Sequence, residues 1–435
     1  MGNTGGLDDI YSSLLARRSS EGRLRRLTVP DPAMVDFSSN DYLSLSTDAD
    51  IRRAYLSRLR SPSFSLGSGG SRLLDGNTGL AESLEASIAA FHGAPAGLLF
   101  NSGFEANVGL FGCCAPRPGD VMVYDELVHA SVHDGMRLSR AKRVPFAHNC
   151  VRGDARASPN ESLDRVLTAL AQGEHGTSIR AGGACVFIAV ESIYSMDGDA
   201  APLQDIIDCV RERLPRGNGY LIVDEAHSTG WAGARGRGMV SHLGLEDGVW
   251  ARVHTFGKAM GCAGAIVLCS ATTRRYLINY ARSLIYTTAM GYPALAAIQT
   301  VYEFVESGRA ERRRAHLEGL MRHAHGVLAS LGARHGVPAE MFRVNRGPPA
   351  SPIIPLFTTQ ARRLARHCEG RGFTVRPIVA PTVPPGTDRV RLCLHAGNTV
   401  DEVHGLCEAI GDWLRGAWKP EARKTVEAER GQSKL

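Results

Sequence analysis

A short apolar run that leads into an acid and a histidine constrains this chain more than any other feature. Residues 220–223 read Tyr-Leu-Ile-Val, and Asp224 and His227 follow. Such a run predicts a buried parallel strand that delivers polar groups at its carboxyl end, where ligands bind in open α/β sheets. A second short run, residues 252–256, precedes the glycine-flanked Lys258. We therefore expect an acid, a histidine and a lysine to meet at one edge of a sheet.

These three side chains match the needs of a pyridine cofactor that acts as an electron sink. Such a cofactor requires a carboxylate at its ring nitrogen, a donor at its phenolic oxygen and an amine that binds its aldehyde. Asp224, His227 and Lys258 supply these groups in turn. An aspartate about 3 Å from the pyridinium contributes on the order of 5 kcal/mol at an effective dielectric of roughly 20, before desolvation. The pattern predicts a pyridoxal phosphate site.

The same stretch fits two other interpretations. Residues 224–227 (DEAH) also match the acidic box of some nucleic-acid-dependent ATPases, which need an upstream phosphate loop, G-x-x-x-x-G-K-[ST]. The pair Gly257 and Lys258 lies downstream, Ala259 follows it, and Arg252 replaces the first glycine. The ATPase hypothesis is therefore disfavoured. In the simpler structural alternative, the acid and the histidine are buried and only form hydrogen bonds with backbone groups of the loop.

Length and composition indicate a soluble enzyme of two domains. A chain of 435 residues is too long for one compact core, and 43% hydrophobic with 22% charged residues is ordinary for a globular protein. The net charge of +6 weakly favours anionic ligands such as phosphates or CoA and gives no argument for nucleic acid. We expect no membrane span, since no apolar run reaches about 18 residues, and no signal peptide. Ten cysteines without a C-x-x-C pair indicate free thiols.

The order of strand and helix patterns predicts the fold class. From about residue 95 to 270 they alternate, which predicts an α/β fold with a mostly parallel, doubly wound sheet. We assign 1–46 to an N-terminal helical arm, with a helix to about residue 28 and then a short strand. Residues 47–290 are predicted to form the large domain and 291–418 a smaller C-terminal α/β domain. A mixed-charge tail, 419–435, is expected to be flexible.

A phosphate site is predicted where a helix follows the run at 97–100. Residues 101–107 (NSGFEAN) open that helix, and the free amides of a helix start favour an anion. The glycine-rich run at 67–72 is weaker, because no strand clearly precedes it.

His129 and His133 have the i, i+4 spacing of a helical metal site. The glutamate of an H-E-x-x-H motif is missing, because Ala130 follows His129 directly. No metal is expected, and His129 can instead lie flat on a cofactor ring.

The chain closes with Ser433, Lys434 and Leu435. At a free C-terminus this tripeptide is a peroxisomal targeting signal, and one given tripeptide ends an arbitrary chain about once in 8,000. We expect recognition by the peroxisomal import receptor in a eukaryotic cell, and a cytoplasmic location otherwise.

Six motifs together resemble the α-oxoamine synthases. These are fold-type I pyridoxal phosphate transferases that condense an amino acid with an acyl thioester and release CO2. The resemblance spans about residues 7–416. The matching motifs are FSSNDYL at 37–43, NSGF at 101–104, SMDGD at 195–199, DEAH at 224–227, TFGK at 255–258 and PTVP at 381–384.

The resemblance implies roles for the residues around the cofactor. Lys258 would bind the cofactor aldehyde and later move the Cα proton of the amino acid, while His129 would stack on the ring. Asp224 would pair with the ring nitrogen. The remaining implied contacts are His227 and Ser195 at the phenolic oxygen, and Gly103, Phe104, Thr255 and, from the partner subunit of a homodimer, Thr288 at the phosphate.

The resemblance also implies the substrates. Asn40 and Arg391 would hold the amino acid carboxylate, which a guanidinium binds bidentately, and Thr382 and Arg25 would lie near the acyl group. The chain looks most like members that join L-alanine to pimeloyl-CoA or pimeloyl carrier protein in biotin synthesis. A sister synthase that uses glycine, serine or another acyl-CoA in secondary metabolism is the main alternative. A non-catalytic heterodimer subunit is another, against which Lys258 argues.

Beside the DEAH motif, the sequence differs from the pattern of the family that it resembles. Ser228 stands where many members have glycine, and the bulky Trp231 lies close by. We expect both residues to reshape the acyl channel.

Overall fold

The computed structural model describes residues 6–62, 64–154 and 158–417. The predicted tail, with its C-terminal tripeptide, lies outside these residues, so peroxisomal import stays a prediction. Among the helices that the structure describes, none is both long enough and apolar enough to cross a bilayer.

Helices and strands alternate through the described ranges. The strands in chain order are β1 (Val35–Asp36), β2 (Ala96–Phe100), β3 (Val121–Asp125), β4 (Lys142–Phe146), β5 (Val186–Glu191), β6 (Gly219–Asp224), β7 (Ala251–Thr255), β8 (Ala265–Cys269), β9 (Ile353–Phe357), β10 (Phe373–Thr374), β11 (Arg376–Ile378) and β12 (Arg389–Cys393). The helices are α1 (Leu7–Ser20), α2 (Ala49–Arg58), α3 (Gly79–Phe91), α4 (Gly103–Cys113), α5 (Ala130–Leu138), α6 (Leu163–Gln172), α7 (Gly176–Ala181), α8 (Leu203–Arg213), α9 (Met239–His242), α10 (Ala271–Tyr280), α11 (Arg282–Ile285), α12 (Tyr292–Glu306), α13 (Glu311–Arg334), α14 (Ala361–Glu369) and α15 (Val400–Ala417).

A seven-stranded sheet in the order β2-β8-β7-β6-β5-β3-β4 forms the centre of the fold. The pairs from β7 to β4 are parallel, whereas β8 runs antiparallel to both β7 and β2. Both faces of β5 are apolar: Ile188 and Val190 pack on one side with α6 and α8, and Phe187 and Ala189 on the other with α4 and α5. Burial on both faces is why its sequence is continuously apolar. The predicted mostly parallel, doubly wound sheet is confirmed.

The register of this sheet aligns several strand ends at one edge. Glu191 at the end of β5 pairs with Asp224 at the end of β6, and β6 is in turn parallel to β7. Ala265 at the start of β8 lies opposite Thr255 of β7 and also opposite Phe100 of β2. The segments that follow β2, β5, β6 and β7 therefore meet at the same edge.

A smaller antiparallel sheet, β11-β12-β9, follows in the C-terminal part of the chain. Helices α13, α14 and α15 contribute buried residues to the hydrophobic cluster that contains β9 and β12. The same cluster includes Leu84 of α3, Leu295 of α12 and Phe37 near the N-terminus. The predicted domain boundaries stay predictions, but the large and small sheets share a continuous apolar contact.

The N-terminal helix is shorter than predicted. α1 ends at Ser20, not near residue 28, because Gly22 adopts a left-handed conformation (φ +64°) that ends a helix. Every described residue of α1 is exposed, including Ile10 and Leu14. Arg25 lies beyond it in an extended segment.

His148 joins two of the loops at the edge of the large sheet. Its Nδ1 lies 2.9 Å from Oδ1 of Asp125 at the end of β3, and its Nε2 lies 2.9 Å from Oδ2 of Asp199 in the loop after β5. Burial by itself would lower the pKa of His148, but hydrogen bonds to the two carboxylates raise it to about 10. A charged histidine therefore fixes the SMDGD loop to the sheet.

We expect His148→Gln to destabilise the protein in a pH-dependent way. Because the folded-state pKa is raised, the stabilisation is complete below the unfolded pKa of about 6.5 and disappears as pH rises through about 10. The free energy of unfolding should fall by about 3 kcal/mol at pH 7, and the gap to wild type should narrow toward pH 10. Urea unfolding at both pH values measures this.

His175→Gln is the matched control, because that histidine is exposed and makes no capping bond at the start of α7. It should unfold like wild type at both pH values. A destabilisation by His148→Gln that stays constant from pH 7 to pH 10 would contradict the assignment of a charged histidine.

Candidate active site

A cavity of about 350 Å³ opens at the aligned strand ends, a size within the range of cofactor sites. Eight of the residues predicted from the sequence lie on its wall, together with residues that were not predicted. The predicted ones are Asn40, Gly103, Phe104, His129, Asp224, His227, Thr255 and Lys258.

Asp224 is buried and held by two donors. Its Oδ2 accepts a hydrogen bond of 2.7 Å from Nδ2 of Asn107, and its Oδ1 accepts one of 2.9 Å from the amide of Ala226. The two donors fix the direction of the carboxylate. Asp224 can therefore face a cationic ring nitrogen without reorientation.

His227 is oriented by a hydroxyl group on its Nδ1 side. The Tyr42 hydroxyl lies 2.7 Å from Nδ1 of His227 and 3.2 Å from Oδ1 of Asn40. Burial and the nearby charge of Lys258 lower the pKa of His227 well below its usual range, so the ring is neutral. Because the Tyr42 hydroxyl donates to Oδ1 of Asn40, which can only accept, its oxygen can accept from Nδ1–H of His227, and the two contacts fix the direction of the imidazole ring.

Lys258 is the half-buried amine of the cavity, and two acids lie close to it. Burial lowers the pKa of its ammonium group, and the carboxylates of Asp224 and Glu191 oppose this shift. Burial and the charge of Asp224 raise the pKa of Glu191 well above its usual range. The site therefore favours a neutral Glu191 and makes proton loss from Lys258 easier than in water.

His129 is held at the start of α5 by three contacts. Its amide donates a 2.6 Å hydrogen bond to Oε1 of Glu191, and its Nδ1 lies 2.8 Å from Oγ of Ser131, whose amide also donates to Nδ1. Ser131 in turn accepts from Asn107, which also donates to Asp224. One hydrogen-bonded network thus links the predicted ring-stacking residue to the predicted ring-nitrogen partner.

The start of α4 and the end of β7 form an anion site. Ser102 caps α4 by accepting from the amide of Glu105, and the amides of Gly103 and Phe104 precede the first intrahelical bond. A Cβ on Gly103 would lie 2.3 Å from Cγ2 of Thr255, so only glycine lets the two segments approach. The hydroxyl of Thr255 is buried and has no partner among the described residues.

Arg391 on β12 reaches the site through contacts that are distant in sequence. Its Nε donates to the carbonyl of Ser195 at 2.6 Å, and its Nη2 donates to Oδ1 of Asn40 at 2.8 Å. These bonds use two of the five N–H donors of a guanidinium. The small sheet thus delivers a cation beside Asn40 on the cavity wall, while Ser195 contacts it through its backbone.

The remaining predicted residues lie outside the cavity wall. Thr288 is exposed, and its carbonyl accepts a 3.0 Å hydrogen bond from Nδ2 of Asn101 beside the anion site. Thr382 is exposed on the proline loop, where its amide donates to the carbonyl of Val379. Arg25 is exposed, and within the described residues it makes no contact with the cavity.

Comparison with known proteins identifies the family. The profile of class I and II aminotransferases matches residues 32–410. An 8-amino-7-oxononanoate synthase of Emericella nidulans is 50% identical over 96% of this chain and 98% of its own. The aminoacyl transferase sphA of Aspergillus fumigatus is 37% identical over 98% and 89%. A solved serine palmitoyltransferase of Sphingomonas wittichii superposes with a TM-score of 0.80 at 25% identity, over 95% of this chain and all of its own.

The chain belongs to the α-oxoamine synthase family. Members of this family are fold-type I pyridoxal phosphate enzymes, so the predicted fold class and cofactor are both confirmed.

The residues of this α-oxoamine synthase fit pyridoxal phosphate. The unpaired hydroxyl of Thr255 and the amides at the start of α4 suit a phosphate, which the glycine at 103 leaves room to approach. Asp224 and neutral His227 suit the ring nitrogen and the phenolic oxygen, and Lys258 suits the aldehyde.

Several site residues of the synthase were not predicted from the sequence. Glu191 ends β5 as Asp224 ends β6, and an acid at the end of a predicted parallel strand was the sequence signal that could have identified it. Asn107 lies one helical turn after Gly103 on α4, but nothing in the sequence connects it with Asp224. Tyr42 belongs to the FSSNDYL motif, and its partner His227 is 185 residues away.

Ser228 and Trp231 do not line this cavity, and their expected effect on the acyl channel stays a prediction. Ser228 is fully buried and donates to the carboxylate of Glu225, while also contacting Ser192. Trp231 is buried and donates from Nε1 to the carbonyl of His227 at 2.6 Å. The polar atoms of both side chains therefore hydrogen-bond to residues of the DEAH motif.

We expect Gly103→Ala to weaken binding of pyridoxal phosphate. The new methyl group must displace Thr255 or the start of α4, and overpacking of this kind costs about 1–3 kcal/mol. The dissociation constant of the cofactor should rise about ten- to a hundredfold. Titration of the apoenzyme with pyridoxal phosphate, followed by visible absorbance, measures it.

Gly112→Ala on the same helix is the control, since its nearest neighbour would be 3.7 Å away. This variant should bind the cofactor like wild type. If Gly103→Ala bound pyridoxal phosphate with the same dissociation constant as wild type, the proposed anion site would be refuted.

Proposed function

We propose that the protein condenses L-alanine with pimeloyl-CoA, or with pimeloyl carrier protein, to give 8-amino-7-oxononanoate, CO2 and the free thiol in biotin synthesis. A bond forms between Cα of alanine and the thioester carbonyl, the C–S bond breaks, and the carboxyl group leaves as CO2. The convergence of Lys258, Asp224, His227 and His129 on one cavity, beside Arg391, is the observation that supports the chemistry most directly.

Lys258 has two tasks in this proposal. Its amine holds the cofactor and then takes the Cα proton of alanine, for which a neutral amine is required. Burial favours that form by lowering the pKa of the ammonium group. When bound, pyridoxal phosphate supplies an electron sink for the charge left on Cα.

The charged side chains around Lys258 orient the reaction. Asp224 would face the ring nitrogen of the cofactor, and His227 would contact its phenolic oxygen. Arg391 and Asn40 bind the carboxylate of alanine, and the 2.8 Å bond between them fixes the guanidinium. Orientation of the carboxylate by a fixed cation sets which Cα bond faces the electron sink.

The similarity to known proteins supports the proposed substrates. The 50% identity over nearly the whole of both chains supports the 8-amino-7-oxononanoate synthase activity named for the Emericella nidulans protein. The aminoacyl transferase sphA, at 37% identity, supports the second candidate, a sister synthase that uses another amino acid or acyl-CoA. Turnover with glycine, serine or alanine, each paired with pimeloyl-CoA or a long-chain acyl-CoA, separates the two by product mass.

We expect Lys258→Ala to lower turnover of alanine and pimeloyl-CoA by about 10³-fold or more, because it removes both the cofactor-binding amine and the proton acceptor. The product is quantified by mass spectrometry in steady-state assays.

Lys142→Ala, an exposed lysine on β4, is the matched control and should keep wild-type activity. Substantial residual turnover in Lys258→Ala would refute the proposed mechanism. Wild-type turnover with serine or glycine alone would replace the alanine assignment by the sister synthase.

We also infer that the enzyme is a homodimer with shared active sites. Leu66, Leu74 and Tyr286 are 81%, 77% and 72% exposed, and exposed apolar patches mark protein interfaces. The loop that carries Leu66 and Leu74 is bonded to the segment after Thr288, since the amide of Ala289 donates to the carbonyl of Gly70. Thr288 thus lies on an apolar surface and is free to reach a neighbouring subunit.

Leu74→Asp should weaken the dimer and lower turnover together, because a charge in an apolar interface is costly. Light scattering should give a mass near twice 46.7 kDa for wild type and a lower average for the variant. Leu243→Asp, at a leucine that is 46% exposed after α9, is the control and should stay dimeric. A monomeric wild-type enzyme with full activity would refute the shared sites.

A further inference from the structure

A second cavity, of about 570 Å³, lies outside the active site and is lined by arginines. The N-terminal segment forms one wall with Arg23, and α14 forms another. The remaining walls are the loop before α14 and the proline loop after β11. The charged residues on these walls are Arg23, Arg362, Arg363, Arg366, Glu21 and Asp388.

The arginines outnumber the acids and are poorly paired. Within the described residues Arg362 and Arg366 make no ion pair, and Arg363 donates to the neutral Oε1 of Gln360. Glu21 is already shared between Arg17 and Arg23. Unpaired guanidinium groups around a cavity of this size fit a ligand with several anionic oxygens, which arginine binds bidentately.

The cavity is built by the fold and is more than a solvated helix face. α14 buries Leu364, Ala365 and Cys368 against the small sheet, which forces its arginines outward on one side. Gly22 turns the N-terminal segment over that side, and a Cβ on Gly22 would lie only 2.7 Å from Nη1 of Arg362. The close approach of Gly22 to Arg362 makes the N-terminal segment one wall of the cavity.

The position of the cavity connects it with the active site. Val379 and Ala380 line it and directly follow β11. β11 pairs with β12, where Arg376 lies opposite Arg391, the residue proposed to hold the alanine carboxylate. The proline loop that carries Thr382, which the resemblance places near the acyl group, starts at this wall.

We propose that this arginine-lined cavity binds the phosphate groups of the CoA part of the acyl-CoA donor. CoA carries a diphosphate and a 3′-phosphate at the far end of its pantetheine arm, so its phosphates must bind apart from the reacting carbonyl. An open cavity of about 570 Å³ has room for the phosphate groups of a nucleotide. The inference rests on the proposed use of an acyl-CoA and identifies its binding site.

The double variant Arg362→Glu/Arg366→Glu tests the proposal. The KM for pimeloyl-CoA should rise about tenfold or more, the equivalent of one or two lost charge-assisted bonds. The KM for alanine, kcat and the visible spectrum should not change. With pimeloyl-pantetheine, which has no nucleotide phosphates, variant and wild type should have the same KM.

Arg322→Glu/Arg334→Glu, at two exposed arginines of α13 with the same change in charge, is the control and should behave like wild type throughout. An unchanged KM for pimeloyl-CoA in the cavity variant overturns the proposal. So does a rise in KM that is confined to pimeloyl carrier protein, which would make the surface a protein-docking site.

Binding of free CoA, measured by calorimetry without turnover, separates this proposal from the proposed function. If pimeloyl-CoA is not a substrate but the cavity variant binds CoA about tenfold more weakly than wild type, only the substrate assignment fails. If pimeloyl-CoA is turned over and CoA binds both proteins equally, the cavity assignment fails.

Discussion

The site depends on the parallel pairing of β5, β6 and β7. The pairing of Glu191 with Asp224 places both acids at one edge, and the alignment of Thr255 and Phe100 across Ala265 brings the phosphate-site segments together. Side chains alternate between the faces of a strand, so a slip of one residue would turn Asp224 into the apolar core. The continuous burial of these strands fixes the register and, with it, the site.

This alignment brings two carboxyl groups close together beside the cavity. Two ionised carboxylates on paired positions of neighbouring strands, about 5 Å apart, would repel by about 3 kcal/mol at an effective dielectric of 20. Burial and Asp224 therefore raise the pKa of Glu191, while Asp224 keeps donors from Asn107 and Ala226. Glu191 accepts from the backbone amide of His129, and Asp224 lies on the cavity wall.

Contacts between distant parts of the chain complete the site. Asn40 and Tyr42 come from the N-terminal segment, Ser195 from the loop after β5, and Arg391 from the small sheet. Because these segments share one apolar cluster, the small sheet is held where its arginine reaches Asn40. His148 fixes the same SMDGD loop from the opposite side through Asp125 and Asp199.

The sequence by itself determined the local pieces of this protein. Apolar runs with acids at their ends gave the parallel sheet, and their order gave Asp224, His227 and Lys258 as one site, because strand ends in such sheets meet at one edge. Short-range patterns overestimated α1, since the left-handed conformation of Gly22 that ends it is invisible in an amphipathic pattern.

Only the tertiary structure decided the partners across long sequence separations. The contacts of Tyr42 with His227, Asn107 with Asp224 and Arg391 with Asn40 depend on packing between segments up to 351 residues apart. No periodicity encodes such pairs, because a hydrogen bond needs its two atoms within about 3 Å, and only the packed core sets distances that short.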